Sequence, residues 1–250
     1  QRRELEGKNG EFDEETATNY EIGWKGSALD RRLQLNGTFY YIRYDDFQAQ
    51  AFDGSSISVT NAGSMESYGM ELDLVYVPAA DVVVGSAVGY NKAEYKDFDN
   101  GQCTVAQAFN EYYVVDGAQT GAPGISSLCL QDLAGEALDN VPEWTVSSYV
   151  QYEHDLPAEL VGTARLEYNY TSSFYLDQDL DPNLENDAVN LVNLRFTLSN
   201  AEQTWNAAIW GRNILDEEYY VAGLDVPVLG GYAGVTAPGA IYGVTVRFMY

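Results

Sequence analysis

Basic residues are scarce in this 250-residue chain, which has 13 Lys and Arg against 38 Asp and Glu and a formal net charge of −25. So acidic a protein lacks the positive surface that neutralises phosphates, which argues against nucleic acid as a partner. Long hydrophobic runs are absent too, because the most apolar stretch, Leu72 to Val88, is broken by Asp73, Pro78 and Asp81. A transmembrane helix needs roughly 18 apolar residues in a row, which excludes a helical membrane protein.

Cysteine is almost absent, and the two that occur, Cys103 and Cys129, lie in one Gly- and Ala-rich region with no CxxC motif or Cys/His cluster. This pattern favours a disulfide over a metal site and therefore an oxidising compartment. Two free buried thiols in a cytosolic protein are the alternative.

Enzymatic motifs are missing as well. No Gly-rich phosphate loop, HExxH or GxSxG occurs, and the single histidine, His154, falls at a predicted short turn. Catalysis by His requires Asp or Ser partners that converge in one site. We expect no enzyme, and we interpret His154 as an exposed turn residue.

Proline is limited to 7 residues, whereas Tyr, Trp and Phe together make up 13% of the chain and 46% is hydrophobic. This composition excludes a mainly disordered chain and favours strands over helices. Apolar residues recur with a period of two, as at Tyr68, Met70, Leu72 and Leu74. The period predicts nine strands, near residues 18–25, 33–48, 65–77, 82–95, 143–154, 160–175, 188–199, 204–214 and 240–250.

One face of each predicted strand is apolar and free of charge, provided that the second strand does not run straight on through Arg43 and Asp45. The opposite face carries the charged residues Glu21, Lys25, Glu71, Asp73, Glu153, Arg165, Glu167, Arg195, Arg212 and Arg247. A dry core does not hold so many unpaired ions. A transmembrane antiparallel β-barrel, with its apolar face toward lipid and its charged face toward a wet lumen, removes the conflict.

Aromatic residues fall toward the two ends of the apolar face, as the girdles of such a barrel do. One set comprises Trp24, Tyr76, Tyr152 and Trp205, and the other comprises Tyr41, Tyr68, Tyr90, Trp144, Tyr170 and Tyr242. The alternative is that these aromatics merely suit a pleated sheet.

Predicted connections alternate between short and long, as periplasmic turns and extracellular loops do. This parity directs the last strand inward and ends it at the periplasmic rim. Its alternating residues resemble the C-terminal signal by which outer-membrane barrels are recognised for insertion: Tyr242, Val244, Val246, Phe248 and Tyr250.

Nine is an odd number, whereas single-chain bacterial barrels have even strand numbers. The chain also opens at Gln1 without Met or an apolar signal segment. We therefore expect residues 1–250 to be the C-terminal part of a larger barrel, as one fragment of a single domain.

Four stretches resemble the C-terminal barrel of TonB-dependent outer-membrane receptors. They are Glu14–Lys25 (EETATNYEIGWK), Phe39–Gln48 (FYYIRYDDFQ), Asn61–Leu72 (NAGSMESYGMEL) and Gly211–Tyr219 (GRNILDEEY), followed by Tyr242–Phe248 (YGVTVRF). The resemblance implies the last nine strands of a 22-stranded barrel, with the plug domain and TonB box upstream of this sequence.

The resemblance also implies an integral protein of the bacterial outer membrane that imports a scarce solute, such as a siderophore, cobalamin, oligosaccharide or peptide, energised through TonB. Expected partners are outer-membrane lipid and lipopolysaccharide, TonB through the upstream region, the barrel assembly machinery and a small solute. A passive porin or structural barrel is the first alternative, and a soluble extracellular β-sandwich adhesin is the second.

The predicted outer connections hold the candidate site residues. Aromatic side chains there could form a substrate vestibule, or only pack the loops together: Phe109, Tyr112, Tyr113, Tyr175, Tyr219, Tyr220 and Tyr232. Asp177, Asp179 and Asp181 offer oxygen ligands at alternate positions, which suits Ca²⁺. Pro182 stands where an EF-hand loop needs Gly, however, so a solvated acidic loop is the alternative. No other cofactor is expected.

Overall fold

The computed structural model describes residues 14–52, 57–61, 63–108, 129–226 and 230–249. These residues form the strands β1 (Thr16–Ala28), β2 (Leu33–Asp45), β3 (Gln48–Phe52), β4 (Ile57–Asn61), β5 (Ser64–Ala79), β6 (Val82–Asp97), β7 (Gly101–Gln102), β8 (Leu130–Gln131), β9 (Trp144–Leu156), β10 (Leu160–Thr171), β11 (Phe174–Tyr175), β12 (Glu185–Asn186), β13 (Val189–Asn200), β14 (Trp205–Arg212), β15 (Tyr220–Val226), β16 (Gly231–Thr236) and β17 (Ile241–Phe248). Within these ranges, no helix is long and apolar enough to cross a membrane.

Nine long strands form one antiparallel sheet in the order β1-β2-β5-β6-β9-β10-β13-β14-β17. They correspond one to one to the nine predicted strands, which confirms the all-β fold class. The sheet is open, with β1 and β17 at its two edges. It is therefore part of a barrel wall rather than a closed barrel.

Connections at one end of the sheet are short, over residues 29–32, 80–81, 157–159 and 201–204. Those at the other end, called the outer end below, span 46–63, 98–143, 172–188 and 213–240, which confirms the predicted alternation. Each long connection contains a two-stranded ladder that the periodicity did not predict: β3-β4, β7-β8, β11-β12 or β15-β16.

Two predicted strands were too long. Asp46 has a positive φ of 56°, which ends β2 at Asp45 and starts β3 separately. The predicted strand 160–175 ends at Thr171, because Phe174 and Tyr175 pair with Asn186 and Glu185 instead. Both are places where the chain leaves the wall for an outer ladder.

The apolar face of the sheet is continuous and uncovered. Strand pairing sets Ile22 opposite Phe39 and Phe196 opposite Ile209, and these side chains are 72%, 49%, 51% and 59% exposed. All buried hydrophobic residues among the described ones lie at the outer end, except Ala208. A soluble sandwich would need a core along this face, whereas hydrocarbon favours its exposure.

The charged face is concave. A hollow of about 300 Å³ lies on it, lined by Arg165, Glu167, Asn193, Leu194, Arg195, Trp210, Gly211, Arg212 and Thr245. The predicted polar-face residues Arg165, Glu167, Arg195 and Arg212 thus share the inner surface of the curved sheet. This arrangement is the reverse of a soluble β-sandwich and matches an outer-membrane barrel wall.

The expectation that the apolar face carries no charge is wrong at its outer end. β2 runs straight through Arg43 to Asp45, and Arg43 lies opposite Glu66 just beyond the pair Tyr41–Tyr68. On β6, Lys92 lies opposite Tyr68 and Glu94 opposite Glu66. Strands β2, β5 and β6 extend beyond the aromatic girdle, into the region where charged side chains no longer meet hydrocarbon.

These residues form one ion-pair network, called the outer charged belt. Arg43 pairs with Asp45 and Glu66, Lys92 pairs with Glu94, and Lys96 pairs with Glu66 and Glu94, at 2.7–3.6 Å. The belt holds three cations and three carboxylates, and all six side chains are at least partly exposed.

The aromatic girdles are spaced as a bilayer requires. Tyr68 and Tyr76 on β5 are eight residues apart, as are Trp144 and Tyr152 on β9. Eight residues span about 27 Å of antiparallel strand, or about 20 Å of height at the roughly 40° tilt of such barrels, close to their apolar band of about 25 Å. Trp144 also contacts Tyr90 in a tilted arrangement, with ring centroids 4.7 Å apart.

A small hydrophobic core closes the inner face at the outer end. Met65, Ala93 and Tyr95 pack there with Phe98, Leu133 and Leu138 from the long connection 98–143. Backbone bonds hold this connection in place, with Gly135 N donating to Tyr95 O at 2.7 Å and Leu138 N to Ala93 O at 3.2 Å. The expected wet, charged lumen therefore gives way to packed loop at this level.

The C-terminal strand keeps its predicted alternation. Tyr242, Val244, Val246 and Phe248 are 57–71% exposed on the apolar face of edge strand β17. Tyr250 lies outside the described residues. Their role as an insertion signal stays a prediction.

We predict that Leu166→Arg in the full-length protein lowers its free energy of unfolding in phospholipid vesicles by about 2–4 kcal/mol, because Leu166 is 45% exposed on the apolar face of β10 and the substitution puts a cation against hydrocarbon. Equilibrium urea unfolding of the vesicle-bound protein measures the change. Thr163→Arg is the matched control, since Thr163 lies opposite Glu153 on the concave face. Equal stability of the two variants would contradict the lipid assignment.

Candidate functional site

The concave hollow is built from three neighbouring strands. Arg165 on β10 lies opposite Arg195 on β13, which lies opposite Trp210 on β14. Period-two alternation aims all three side chains at the lumen, and antiparallel pairing brings them to one level of the wall. The hollow thus gathers cations in a chain whose net charge is −25.

Arg165 is held in place by its neighbours. Its Nε donates to Glu167 Oε1 at 2.6 Å and its Nη1 to Gln151 Oε1 at 3.3 Å. The guanidinium also lies over the Tyr149 ring, 3.8 Å from the centroid, in cation–π geometry. Its charge is therefore largely compensated within the wall.

Arg195 and Arg212 lack a carboxylate partner of this kind. Within the described part of the chain, neither forms an ion pair with a carboxylate. Arg212 lies 5.3 Å from the Trp210 ring centroid, while Trp210 Nε1 donates to Thr245 Oγ1 at 3.0 Å. Trp210 and Arg212 were not among the predicted site residues. The signal that could have selected them is a bulky aromatic on a polar strand face.

The aromatic residues predicted for substrate binding fall into separate places. Tyr219 and Tyr220 border a hollow of about 270 Å³, together with Glu185, Asn186, Asp187, Ala188, Val189, Glu217 and Glu218. Tyr175 is half-buried on β11 and lies outside that lining, and its carbonyl accepts a bond from Asn140 N at 2.7 Å. Phe109, Tyr112 and Tyr113 lie outside the described residues. A substrate vestibule stays a prediction.

Tyr232 is tied to the acidic connection. Its hydroxyl donates to Asp181 Oδ2 at 3.1 Å and accepts from Asn183 Nδ2 at 2.9 Å. Burial, together with the hydrogen bond to Asp181, raises the pKa of the Tyr232 hydroxyl. This contact fastens the β15-β16 hairpin to the connection between β11 and β12.

Asp181 forms hydrogen bonds with Asn183 and Tyr232 and does not join the cluster that contains the other two predicted ligands. It caps a 3-10 turn at Pro182–Leu184, where its Oδ1 accepts from Asn183 N at 2.8 Å. Asp177 and Asp179 instead come together with Asp225 of β15, with one carboxylate oxygen of each within 4.8 Å of the others. Sequence reasoning missed Asp225. The available signal was an isolated acid between Leu224 and Val226, in a connection for which no strand was predicted.

The predicted disulfide is confirmed. Cys103 and Cys129 are bonded, close a segment with a sequence separation of 26, and are themselves buried. Val105, two residues beyond Cys103, donates its N–H to Asp225 Oδ2 at 3.1 Å. The bridge therefore stands beside the aspartate cluster.

His154 lies at the inner end of β9, not in the turn as predicted. Its ring stacks on Tyr152 with centroids 5.9 Å apart, and its Nδ1 is 3.3 Å from the tyrosine hydroxyl.

Comparison with known proteins identifies the family. The family model for a TonB dependent receptor-like β-barrel matches residues 3–214. The chain belongs to this family. TonB-dependent receptors are outer-membrane β-barrels, which agrees with the uncovered apolar face and the concave charged wall described above.

Solved receptors share the fold. The ferric yersiniabactin uptake receptor FyuA from Yersinia pestis matches with a TM-score of 0.68 and 17% identity, over 94% of this chain and 30% of its own. The ferric-catecholate import receptor Fiu from E. coli K12 matches with a TM-score of 0.59 and 15% identity, over 94% of this chain and 27% of its own. The copper transporter OprC matches with a TM-score of 0.62 and 14% identity, over 94% of this chain and 31% of its own. The chain therefore spans about 30% of the length of these receptors.

We predict that the double variant Cys103→Ser/Cys129→Ser speeds proteolytic cleavage within residues 98–143 of the folded, detergent-solubilised receptor. Loop-entropy estimates give about 3 kcal/mol for a bridge of this span, so its loss favours local opening. Quantitative mass spectrometry of fragments over time measures the rate. Cleavage at the short turn 157–159 is the internal control, and an unchanged rate within 98–143 would contradict the predicted constraint.

Proposed function

We propose that the protein containing this chain imports a scarce solute across the outer membrane, energised through TonB and gated by a plug domain outside these 250 residues. Membership in the TonB-dependent receptor family supports the transport class. The plug is supported by the length comparison, because the solved receptors extend well beyond the part that this chain matches.

The concave hollow supports a substrate class. Arg195 and Arg212 present cationic groups to the lumen without carboxylate partners among the described residues, and Arg165 stands beside them. Guanidinium groups bind carboxylates and other planar anions through paired hydrogen bonds. An anionic solute, such as a metal ion held by an acidic chelator, fits this surface. The names of FyuA and Fiu give ferric chelates as the solutes of those proteins.

The unpaired arginines carry the proposal. Arg195 and Arg212 line one hollow on the lumen-facing side, beside Arg165, whose charge is paired with Glu167. Two cations without carboxylate partners instead create a local positive potential that draws an anion into the lumen. A carboxylate of the plug is the competing occupant of the same hollow.

The outer charged belt supports lipopolysaccharide as the surrounding lipid. On the lipid-facing side, Lys92 lies level with the girdle residue Tyr68, and Arg43 lies one pair beyond it, opposite Glu66. Lys96 joins them through Glu66 and Glu94. We place these cations at the depth of lipid head groups. Phosphates on those head groups are ligands for Lys and Arg. The acids Asp45, Glu66 and Glu94 keep the cations in fixed positions. Assembly through the barrel assembly machinery, with β17 as the recognised strand, belongs to the same proposal.

We predict that Arg195→Glu in the full-length receptor lowers cellular uptake of its anionic substrate about tenfold, on the order of 1.4 kcal/mol, because the charge facing the solute is reversed. Uptake of radiolabelled ferric chelates, screened first with the unmodified receptor, measures the effect. Arg247→Glu is the matched control, since Arg247 lies on the same face near the inner end of β17.

Two results would contradict the proposal. Uptake that persists in cells lacking TonB would indicate a passive pore. Equal uptake by the Arg195→Glu and Arg247→Glu variants would show that the solute does not bind in the hollow on its way through the barrel. A plug contact at Arg195 would instead lower the thermal stability of the purified receptor while substrate affinity stays unchanged.

A further inference from the structure

Three aspartates from two outer connections converge at one point. Asp177 and Asp179 lie between β11 and β12, and Asp225 lies on β15, with one carboxylate oxygen of each within 4.8 Å of the others. Asp179 is 2% exposed and Asp225 is 3% exposed. Water therefore does not solvate the two inner carboxylates, which is a costly arrangement for unpaired acids.

Each inner carboxylate has one oxygen that lacks a partner. Asp179 Oδ1 accepts from Asp181 N at 3.1 Å, and Asp225 Oδ2 accepts from Val105 N at 3.1 Å. Among the described groups, Asp179 Oδ2 and Asp225 Oδ1 have no hydrogen-bond donor, and no described Lys, Arg or His forms an ion pair with the cluster. Buried polar atoms are nearly always satisfied, so these two oxygens point to a missing group.

A proton is one way to relieve the cluster. Burial raises the pKa of Asp179 to about 9, and the adjacent Asp225 adds to the rise. Burial also raises the pKa of Asp177 and of Asp225. One proton bridging Asp179 and Asp225 neutralises a single negative charge, however, and leaves two more among three neighbouring carboxylates.

A divalent cation satisfies the whole cluster at once. It brings two positive charges and accepts both unpartnered oxygens together with an oxygen of Asp177. We propose that Asp177, Asp179 and Asp225 bind a divalent cation, and the all-oxygen ligand set points to Ca²⁺. Two oxygens on opposite sides of Ca²⁺ lie up to about 4.8 Å apart, twice a Ca²⁺–O distance of about 2.4 Å. Backbone carbonyls or water would complete its coordination.

The ion would fasten three outer connections together. Asp225 N donates to Asp177 Oδ2 at 3.1 Å, which already joins β15 to the acidic connection. Val105 N, bonded to Asp225, brings in the disulfide-closed segment. Asp181, predicted as the third ligand, uses Oδ1 for Asn183 and Oδ2 for Tyr232 and supports the site from beside it.

The test uses the full-length receptor, purified in detergent and stripped of metal by dialysis against EGTA. Isothermal titration with CaCl₂ should give one saturable site in the unmodified protein. The Asp179→Asn variant should bind at least tenfold more weakly, since it removes one charged ligand. Asp187→Asn is the matched control, because Asp187 is an exposed acid of the same connection and lies outside the cluster.

Two outcomes of the titration overturn the proposal. Absence of saturable Ca²⁺ binding in the unmodified receptor removes the site. Equal binding by the unmodified and Asp179→Asn proteins places the ion elsewhere, for instance on copurified lipid phosphate. Asp225→Asn provides the same comparison if Asp179→Asn does not fold.

A second measurement needs no variant and separates the cation from a shared proton. The groups facing Asp179 are Asp177 and Asp181 on its own connection and Asp225 on β15, with Asp139 beyond Asp177. The two unpartnered oxygens lie where β15, the acidic connection and the disulfide-closed segment meet, so removal of the ion should loosen all three. Protection of the outer connections against amide hydrogen exchange should therefore be lower in EGTA than in CaCl₂.

Amide hydrogen exchange of peptides covering 172–188 and 220–236, between pH 6 and pH 9, measures the protection after correction for the intrinsic exchange rate. Identical protection in EGTA and in CaCl₂ at every pH would show a proton-sharing pair alone and overturn the proposal.

Discussion

The pleat of a β-strand sends successive side chains to opposite faces of the sheet, and everything else in this structure depends on the two different solvents that those faces meet. Ile22, Phe196 and Ile209 remain about half or more exposed on one side. Arg165, Arg195 and Arg212 gather around a hollow on the other. Exchanging the two solvents would be unfavourable for both faces. The arginines would lie unpaired in hydrocarbon, and the apolar side chains would be exposed to water.

Departures from this two-face pattern occur where the wall leaves the membrane. At the outer end, the lipid-facing side carries the charged belt of Arg43, Lys92 and Lys96 with their carboxylate partners. At the same level the lumen-facing side buries Tyr95 and Leu133 in a small core. Both inversions have one cause, since beyond the aromatic girdle the outer face meets polar head groups while the inner face meets folded loop.

Each outer connection has its own two-stranded ladder, and a few long-range links join the connections to one another. A disulfide closes one of them, a tyrosine–aspartate bond joins two others, and the aspartate cluster lies where all three meet. Such links let variable loops sit rigidly on a uniform wall, which is how binding surfaces are generally built on a scaffold. The wall arginines and the loop cluster are distinct sites, one open to the lumen and one buried between loops.

Period-two alternation is a local property, and for that reason the sequence by itself determined the nine wall strands, their two faces within the aromatic girdles and the alternation of short and long connections. The Cys103–Cys129 bridge was predictable for a different reason, because the chain has only these two cysteines. The sequence did not determine where strands stop, because β2 ends at Asp45, before the positive φ of Asp46, and β10 ends at Thr171, before residues that pair within an outer ladder. The third aspartate was equally out of reach. Asp225 meets Asp177 across 48 residues of chain, and only tertiary packing of separate loops, which leaves no periodic trace in the sequence, decides that contact.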